Sequence, residues 1–337
     1  MPRLSAIFGA ILIVSGTAAA APPAYRVTGS IAAPGGGWDY ARFDAASGQL
    51  FVARADGVTV VSLADRKVRA FGPVARGHAV APLDRDGWLA VTSGNDDTLK
   101  LFALDTGAPR GEVKVGRGPD AAIRNPADGD VLVMNAHGGT VSVVDPRAKR
   151  VVRTIALQPG LEFAALDKRG ELFVNNEDLN RIDVADPRTG AVSAPIALTG
   201  CEGPSGLAYD ARTDRLIAAC DNGKAAVVDA AHRRLVGLLD IGRGPDAVIL
   251  DADRRLAFIP CGRDGTLVVI ALDAAGGPKV MGAVKTEQGA RTGALDPRTG
   301  ALYLPTARFG PPPQPGKRPA MIPGSFHILI VRPIGRG

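Results

Sequence analysis

The sequence predicts an all-β fold, a seven-bladed β-propeller of four-stranded blades. The hexapeptide Gly-Arg-Gly-Pro-Asp-Ala occurs twice, at Gly116–Ala121 and Gly242–Ala247, and each copy opens a similar cassette. An Asp or Asn expected to end the first strand of a unit recurs every 40 to 45 residues, at Asp44, Asp84, Asn125, Asp167, Asp210, Asp251 and Asp296. The chain also contains 42 Gly and 26 Pro, which favours short strands joined by turns. Seven units of this length are typical of a propeller.

The first segment of the chain resembles a secretory signal peptide. Arg3 supplies a positive charge, residues 7–14 are apolar, and residues 16–20 are small. We expect cleavage after Ala20, a signal peptide over 1–20, a single propeller domain over 21–337, and export to the periplasm. The alternative is a buried N-terminal helix. The apolar run is shorter than a membrane span requires and no later segment is longer, so no membrane span is expected.

Strand and turn patterns repeat along the chain. Thr98–Phe102, Thr140–Asp145 and Thr266–Ile270 are apolar or β-branched runs bounded by turn residues. Asp186–Gly190 and Asp296–Gly300 both read Asp-Pro-Arg-Thr-Gly, in which Pro fixes φ for a turn and Gly accepts the left-handed conformation. No break in this rhythm indicates a second domain.

The two ends of the chain predict how the ring closes. The last unit supplies three strands, near residues 291–295, 301–305 and 327–332, and is one strand short. A spare strand over Tyr25–Ile31 precedes the first full unit. Pairing this strand with the last blade would complete the blade and remove an exposed sheet edge.

Several catalytic motifs are absent or excluded by their context. The repeated Gly-x-Gly-x-x-Ala matches a dinucleotide fingerprint, but short strands follow it where that site needs a helix. The chain has neither a Gly-x-Ser-x-Gly nucleophile motif nor a Cys-x-x-Cys-His haem motif. No cofactor is expected. The net charge of +6 is scattered, so nucleic-acid binding is not indicated, and a monomer is expected.

The repeat consensus, Gly-Pro-Asp-Ala followed by Val-x-Asn and Thr-Val-Ser-Val-Val-Asp, resembles the YVTN-type repeat of bacterial periplasmic propellers, and the YncE-like group most closely. Gly116–Ile155 and Gly242–Val284 carry it best, and the segment from Leu304 to Phe326 resembles the closing blade of that group. The lead-ins at 35–39 and 158–163 lack the Gly-Pro-Asp form. The resemblance implies a periplasmic protein that binds a ligand or protein partner. The alternative is a lactonase-like hydrolase or a propeller partner of a quinoprotein redox system, because one fold hosts many functions.

One face of the propeller should collect the lead-in loops and the loops between second and third strands. The candidate ligand-binding residues on this face are Arg76, His78, Arg117, Asp120, Asn135, His137, Arg243, Asp246 and Arg308. Glu162, Glu202 and Arg291 are expected on the same face. Such a set would suit a protein partner or a small anionic or carbohydrate-like ligand. The alternative is structural: Asp and Asn bond to their own turns, and Arg pairs with the next blade's carboxylate.

Metal and disulfide chemistry follow from the remaining residues. The four His are dispersed, so no metal site is expected, although a lactonase-like calcium site could use Glu162, Asn176 and Asp221. A disulfide between Cys201 and Cys220 is favoured, because neighbouring strands of one blade bring them close and export favours oxidation. Pairing of Cys220 with Cys261 is the alternative. The Pro-rich segment 310–319 is interpreted as a lid, a docking strip or a passive crossing loop.

Overall fold

The computed structural model describes residues 24–83, 87–312, 314 and 319–334. The expected signal peptide over 1–20 and the repeat residue Asp84 lie outside these ranges. Within them, every regular element is a strand, and the strands form seven four-stranded antiparallel sheets, which confirms the predicted seven-bladed propeller. No helix in the described part of the chain is long and apolar enough to cross a membrane.

Each of the first six blades uses four consecutive strands. Blade 1 contains β2 (Trp38–Asp44), β3 (Gln49–Arg54), β4 (Val58–Ser62) and β5 (Val68–Phe71). Blade 2 contains β6 (Gly77–Leu83), β7 (Trp88–Ser93), β8 (Thr98–Ala103) and β9 (Pro109–Lys114). Blade 3 contains β10 (Pro119–Arg124), β11 (Val131–Asn135), β12 (Thr140–Asp145) and β13 (Arg150–Ala156). Blade 4 contains β14 (Leu161–Leu166), β15 (Leu172–Asn176), β16 (Arg181–Ala185) and β17 (Val192–Ala197). Blade 5 contains β18 (Pro204–Asp210), β19 (Arg215–Cys220), β20 (Lys224–Asp229) and β21 (Arg234–Asp240). Blade 6 contains β22 (Ile249–Asp251), β23 (Leu256–Cys261), β24 (Thr266–Ala271) and β25 (Lys279–Lys285).

The seventh blade joins the two ends of the chain. It contains β26 (Ala294–Asp296), β27 (Ala301–Thr306) and β28 (His327–Pro333), with β1 (Tyr25–Ala32) as its outer strand. β1 pairs antiparallel with β28 in a register that places Val27 opposite Val331 and Ile31 opposite Ile328. The spare N-terminal strand therefore closes the ring, as the sequence predicts, and covers the edge that β28 would otherwise expose.

The blades bury their second and third strands and expose their fourth. All residues of β11 and β23 are buried, whereas β13 and β21 are mostly exposed or half-buried. Neighbouring blades pack face to face, so both sides of the middle strands are covered. This packing explains why those strands are nearly continuous apolar runs.

The recurring Asp or Asn caps the turn after the first strand in blades whose turn the structure describes. Asp44 accepts a hydrogen bond from the Ser47 amide at 2.8 Å, and Asp251 accepts one from the Arg254 amide at 3.0 Å. Asn125 accepts an equivalent bond from Ala127 at 3.1 Å. These three side chains are buried, so the period that reveals the fold has a structural cause, the capping of the turn between the first two strands.

Candidate functional site

A channel runs through the centre of the propeller, lined by the first strand of every blade. Its upper end carries the lead-in loops and the loops between second and third strands. The upper half opens into a cavity of about 1330 Å³, and the lower half encloses about 540 Å³. Tyr40 lines both cavities and marks their junction.

A ring of seven equivalent residues, one from each blade, lines the upper cavity just above this junction. These residues, called the central ring below, are Asp39, His78, Asp120, Glu162, Ser205, Asp246 and Arg291. In blades 1 to 5 the pairing of the first two strands shifts register at this position, as between Trp38 and Ala41 or between Pro119 and Ala122. Such bulges re-aim side chains, and here they accompany polar residues that line the channel. Four carboxylates therefore converge with only two basic groups.

Five ring residues form a chain of contacts. His78 Nδ1 lies 2.7 Å from Asp39 Oδ2 and 3.3 Å from Asp120 Oδ1. Arg291 Nε donates to Asp246 Oδ2 at 2.6 Å, and its Nη2 lies 3.6 Å from Asp39 Oδ1. The order is therefore Asp120, His78, Asp39, Arg291 and Asp246, so positive and negative groups alternate.

The remaining two ring residues lie outside this chain. Ser205 Oγ donates to the Pro245 carbonyl at 3.2 Å. The Glu162 carboxylate accepts no hydrogen bond from any residue that the structure describes, although it lies in the half-buried wall of the cavity. Glu162 is therefore available to a ligand.

The ring perturbs the protonation of its acids. Burial, reinforced by the neighbouring carboxylates, raises the pKa of Asp120 to about 7 and that of Asp246 to about 6, despite the opposing charges of His78 and Arg291. The same two causes raise the pKa of Glu162 well above its ordinary value. Burial alone would lower the pKa of His78, but the hydrogen bond to Asp39 and the charge of Asp120 raise it. The crowded carboxylates therefore resist ionisation, and a cation among them would relieve their mutual repulsion.

Buried side chains of neighbouring blades fix the ring backbone. Thr92 Oγ1 accepts a hydrogen bond from the Ala79 amide and donates one to the Asp120 carbonyl, both at 2.8 Å. Thr292 Oγ1 donates to the Asp39 carbonyl at 2.8 Å. Both threonines are fully buried. The backbone on either side of the ring is thus held before any ligand arrives.

Tyr40 presents an unsatisfied hydroxyl to the ring. Its side chain is 7% exposed, and its hydroxyl has no hydrogen-bond partner among the described residues. Burial raises the pKa of this hydroxyl well above its ordinary value, and the negative charges of the ring carboxylates, most of all Asp246, raise it further. The hydroxyl therefore lies close enough to the ring to interact with these charges. Its ring packs against Phe163 at 4.7 Å between centroids. A buried polar group without a partner is rare and indicates a missing ligand or water.

The structure brings six of the nine candidate residues to the cavity. Arg76, His78, Arg117, Asp120, His137 and Asp246 line it. Arg117 lies near the rim, and its Nη2 donates to the His137 carbonyl at 2.8 Å.

The other three candidates do not reach the cavity. Asn135 is fully buried and donates to Thr140 and Ser142, so it supports blade 3. Arg243 pairs at 2.9 Å with Asp264 of its own blade, whereas the structural alternative expected a carboxylate of the next blade. Arg308 is exposed and does not line the cavity.

The calcium arrangement considered from the sequence is not assembled. The Asn176 amide donates to the Gln158 and Pro159 carbonyls inside blade 4, and Asp221 pairs with Arg263 at 2.9 Å. The fold instead brings His78 between two carboxylates of the flanking blades. The expectation of no metal site rested on dispersed histidines, and dispersal along the chain does not prevent this assembly.

The sequence analysis missed Asp39 and Tyr40. The signal was present, because Trp38-Asp39 occupies the position of Pro119-Asp120 when the units are aligned on their lead-ins. The Gly-rich lead-in of blade 1 lacks the Gly-Pro-Asp form and conceals this equivalence.

The cysteines lie in blades 5 and 6 and do not line either cavity. Cys201 and Cys220 form a disulfide with 5.4 Å between their Cα atoms. Cys261 is free and buried, and burial raises the pKa of its thiol to about 12. An un-ionised thiol is a poor nucleophile, so Cys261 is a packing residue.

The Pro-rich segment 310–319 lies partly outside the described residues. The residues at its two ends pair with each other. The Gly310 amide donates to the Ala320 carbonyl at 2.9 Å, and Phe309 forms an isolated antiparallel β-bridge with Met321. Phe309 and Pro319 line the upper cavity. The base of this segment therefore forms part of the cavity mouth.

Comparisons with known proteins identify the fold. No family model and no curated protein matches the chain. A structure titled Kuenenia stuttgartiensis Hydrazine Synthase aligns with a TM-score of 0.68 and 15% identity over 87% of this chain and 95% of that one. A structure titled Crystal Structure of Mitotic Checkpoint Complex aligns with a TM-score of 0.76 and 13% identity over 98% of this chain and 99% of that one. At these identities the likeness shows the propeller fold alone.

Proposed function

We propose that this protein is a binding propeller that takes a small positively charged ligand into the upper cavity. The observation that carries the proposal is the central ring, in which four carboxylates face two basic groups around a cavity of about 1330 Å³. Concave sites with a few convergent polar groups are the usual sites for small ligands.

The charge distribution favours a cation over the anion expected from the sequence. Arg243 and Arg263 are engaged by Asp264 and Asp221, and Arg117 donates to a backbone carbonyl. Glu162 has no such partner. These partners, which the sequence does not reveal, neutralise Arg243 and Arg263, while Arg76 of the cavity wall has no ion-pair partner among the described residues.

Calorimetric titration with two probes of similar size tests this charge preference. At pH 7.5, 1,4-diaminobutane should bind with a stoichiometry of one, and succinate should not. The double variant Glu162→Gln/Asp246→Asn should weaken binding at least tenfold. Asp264→Asn, which removes a carboxylate outside the cavity, is the matched control and should leave the affinity unchanged. Preference for succinate, or equal affinity in the ring variant, would contradict the proposal.

Export to the periplasm and a YncE-like role form the second part of the proposal. The sequence of residues 1–21 and the Cys201–Cys220 disulfide support an oxidising compartment. Mass measurement of the protein recovered from the periplasm should give a chain that begins at Ala21 and contains one disulfide. Recovery of the uncleaved, reduced chain from the cytosol would contradict export and leave the cavity proposal intact.

A further inference from the structure

Three donor atoms from three blades meet on one side of the central ring. An Asp39 carboxylate oxygen, His78 Nδ1 and an Asp120 carboxylate oxygen all lie within 4.8 Å of one another. We propose that these residues bind a divalent first-row transition-metal ion that faces the upper cavity. The inference deepens the proposed function and rests on it, because it names the cation.

The separations of the donors match those around a metal ion. Ligands about 2.1 Å from a metal lie about 3.0 Å apart at an octahedral edge and about 3.4 Å apart at a tetrahedral edge. The distances from His78 Nδ1 to Asp39 Oδ2 and to Asp120 Oδ1 are 2.7 and 3.3 Å. Both separations lie within about 0.3 Å of the octahedral edge, and the two aspartate oxygens lie within 4.8 Å of each other.

Neighbouring groups hold the three donors in this arrangement. Arg291 lies against Oδ1 of Asp39, at 3.6 Å, while Oδ2 faces His78. Thr92 fixes the amide that follows His78 and the carbonyl of Asp120, and Thr292 fixes the carbonyl of Asp39. Partners beyond the ligands commonly orient the ligands of metal sites.

The Tyr40 hydroxyl is a second, independent observation that points to a ligand within the central ring. The residue follows Asp39 in the chain, is 7% exposed and lines the upper cavity, yet no residue that the structure describes bonds to its hydroxyl. Three protein donors leave coordination positions open toward the cavity, as in sites that retain a bound water. A water or ligand at such a position would give the hydroxyl a hydrogen-bond partner.

The donor set selects the class of metal. One imidazole nitrogen with two carboxylates suits Zn²⁺, Fe²⁺ or Co²⁺ better than an all-oxygen cation such as Ca²⁺. Mg²⁺ retains its water shell and rarely accepts imidazole, so it serves as the control ion. Cys261 packs in an apolar cluster of blades 5 and 6 and does not line the cavity, so it supplies no thiolate.

Calorimetric titration of the metal-free protein with Zn²⁺ tests the site. One Zn²⁺ should bind, and Mg²⁺ at the same concentration should not. His78→Gln and Asp120→Asn should each weaken Zn²⁺ binding at least tenfold. Glu177→Gln, a carboxylate of the cavity outside the three donors, should change it less than twofold. Unfolding curves of each variant show whether it still folds.

The outcomes separate this inference from the proposed function. If 1,4-diaminobutane binds and Zn²⁺ does not, the metal inference fails while the proposed function stands. If neither binds, both fail. Zn²⁺ binding that survives His78→Gln would also overturn the inference, because the ion would then lie elsewhere, for example at His137 or His232.

Discussion

The two halves of the channel are built from the same seven strands and differ in chemistry. The upper half carries the central ring, whereas the lower half is lined mainly by apolar residues such as Ala122, Ile123, Ala164, Leu207 and Ile249. The change occurs within two residues, from Asp120 to Ala122 in β10. In five blades a bulge lies at this boundary, so a small backbone irregularity separates a polar site from an apolar wall.

The acids at the two ends of the channel differ in the same way. Burial and like charges raise the pKa of Asp120 and Asp246 in the upper ring. Asp210, at the lower end of β18, is also desolvated, but Arg255 of the next blade binds it through two bonds of 2.7 and 2.6 Å and lowers its pKa to about 2. Asp210 thus stabilises the fold, whereas the ring acids are held at a cost in stability, which is common at functional sites.

Adding a carboxylate to the apolar lower half of the channel should have the largest effect on stability. Ala122→Asp would place an unpaired charge at a residue that is 2% exposed. We expect it to lower the free energy of unfolding by about 3 kcal/mol, measured by urea denaturation. Asp120→Asn, two residues away, should change it by less than about 1 kcal/mol. A loss below about 1 kcal/mol for Ala122→Asp would show that the lower half tolerates charge.

Breaking the ion pair between Asp210 and Arg255 should have the next largest effect on stability, and this effect should depend on pH. The pKa of Asp210 is lower in the folded than in the unfolded state, so its contribution is present above about pH 4 and is lost as the pH falls through 2. Asp210→Asn should therefore lower stability by about 2 kcal/mol at pH 7, and the gap should close near pH 2. Asp65→Asn, at an exposed ion pair with Lys67, is the control. An equal loss at both pH values would contradict this account.

Loosening the support of the upper ring should have a smaller effect on stability. Thr92→Val leaves the Ala79 amide and the Asp120 carbonyl without their partners, which should cost about 1.5 kcal/mol. The affinity for 1,4-diaminobutane should fall as well, because two ring residues lose their fixed backbone. Thr28→Val removes one bond of 3.3 Å on the exposed outer strand and should change neither quantity. Destabilisation without loss of affinity would assign Thr92 to packing alone.

Removing the rim arginines should have the smallest effect. Arg117→Ala/Arg243→Ala deletes two exposed side chains that contact the His137 carbonyl and Asp264. The free energy of unfolding should stay within about 0.5 kcal/mol, and 1,4-diaminobutane should bind no more weakly than to the unmodified protein. A large loss of affinity would move the site from the ring to the rim.

The sequence predicts the fold well because each blade must repeat the same local features. The capping Asp, the turn glycines and the alternating strands recur in every unit, and the spare strand over Tyr25–Ile31 has one unpaired blade to join. The site is harder to predict, since its residues differ from blade to blade and meet only in the closed ring. Asp39, His78 and Asp120 lie about 40 residues apart in the chain. Nothing local distinguishes them from Asn135, which ends strand β11 and is fully buried.

An anomalous difference map from a crystal soaked in Zn²⁺ tests the central claim most directly. The account predicts one strong peak in the upper half of the channel, within about 2.2 Å of a donor atom on each of Asp39, His78 and Asp120. A peak at the rim or on another histidine, with none between these three residues, would contradict it.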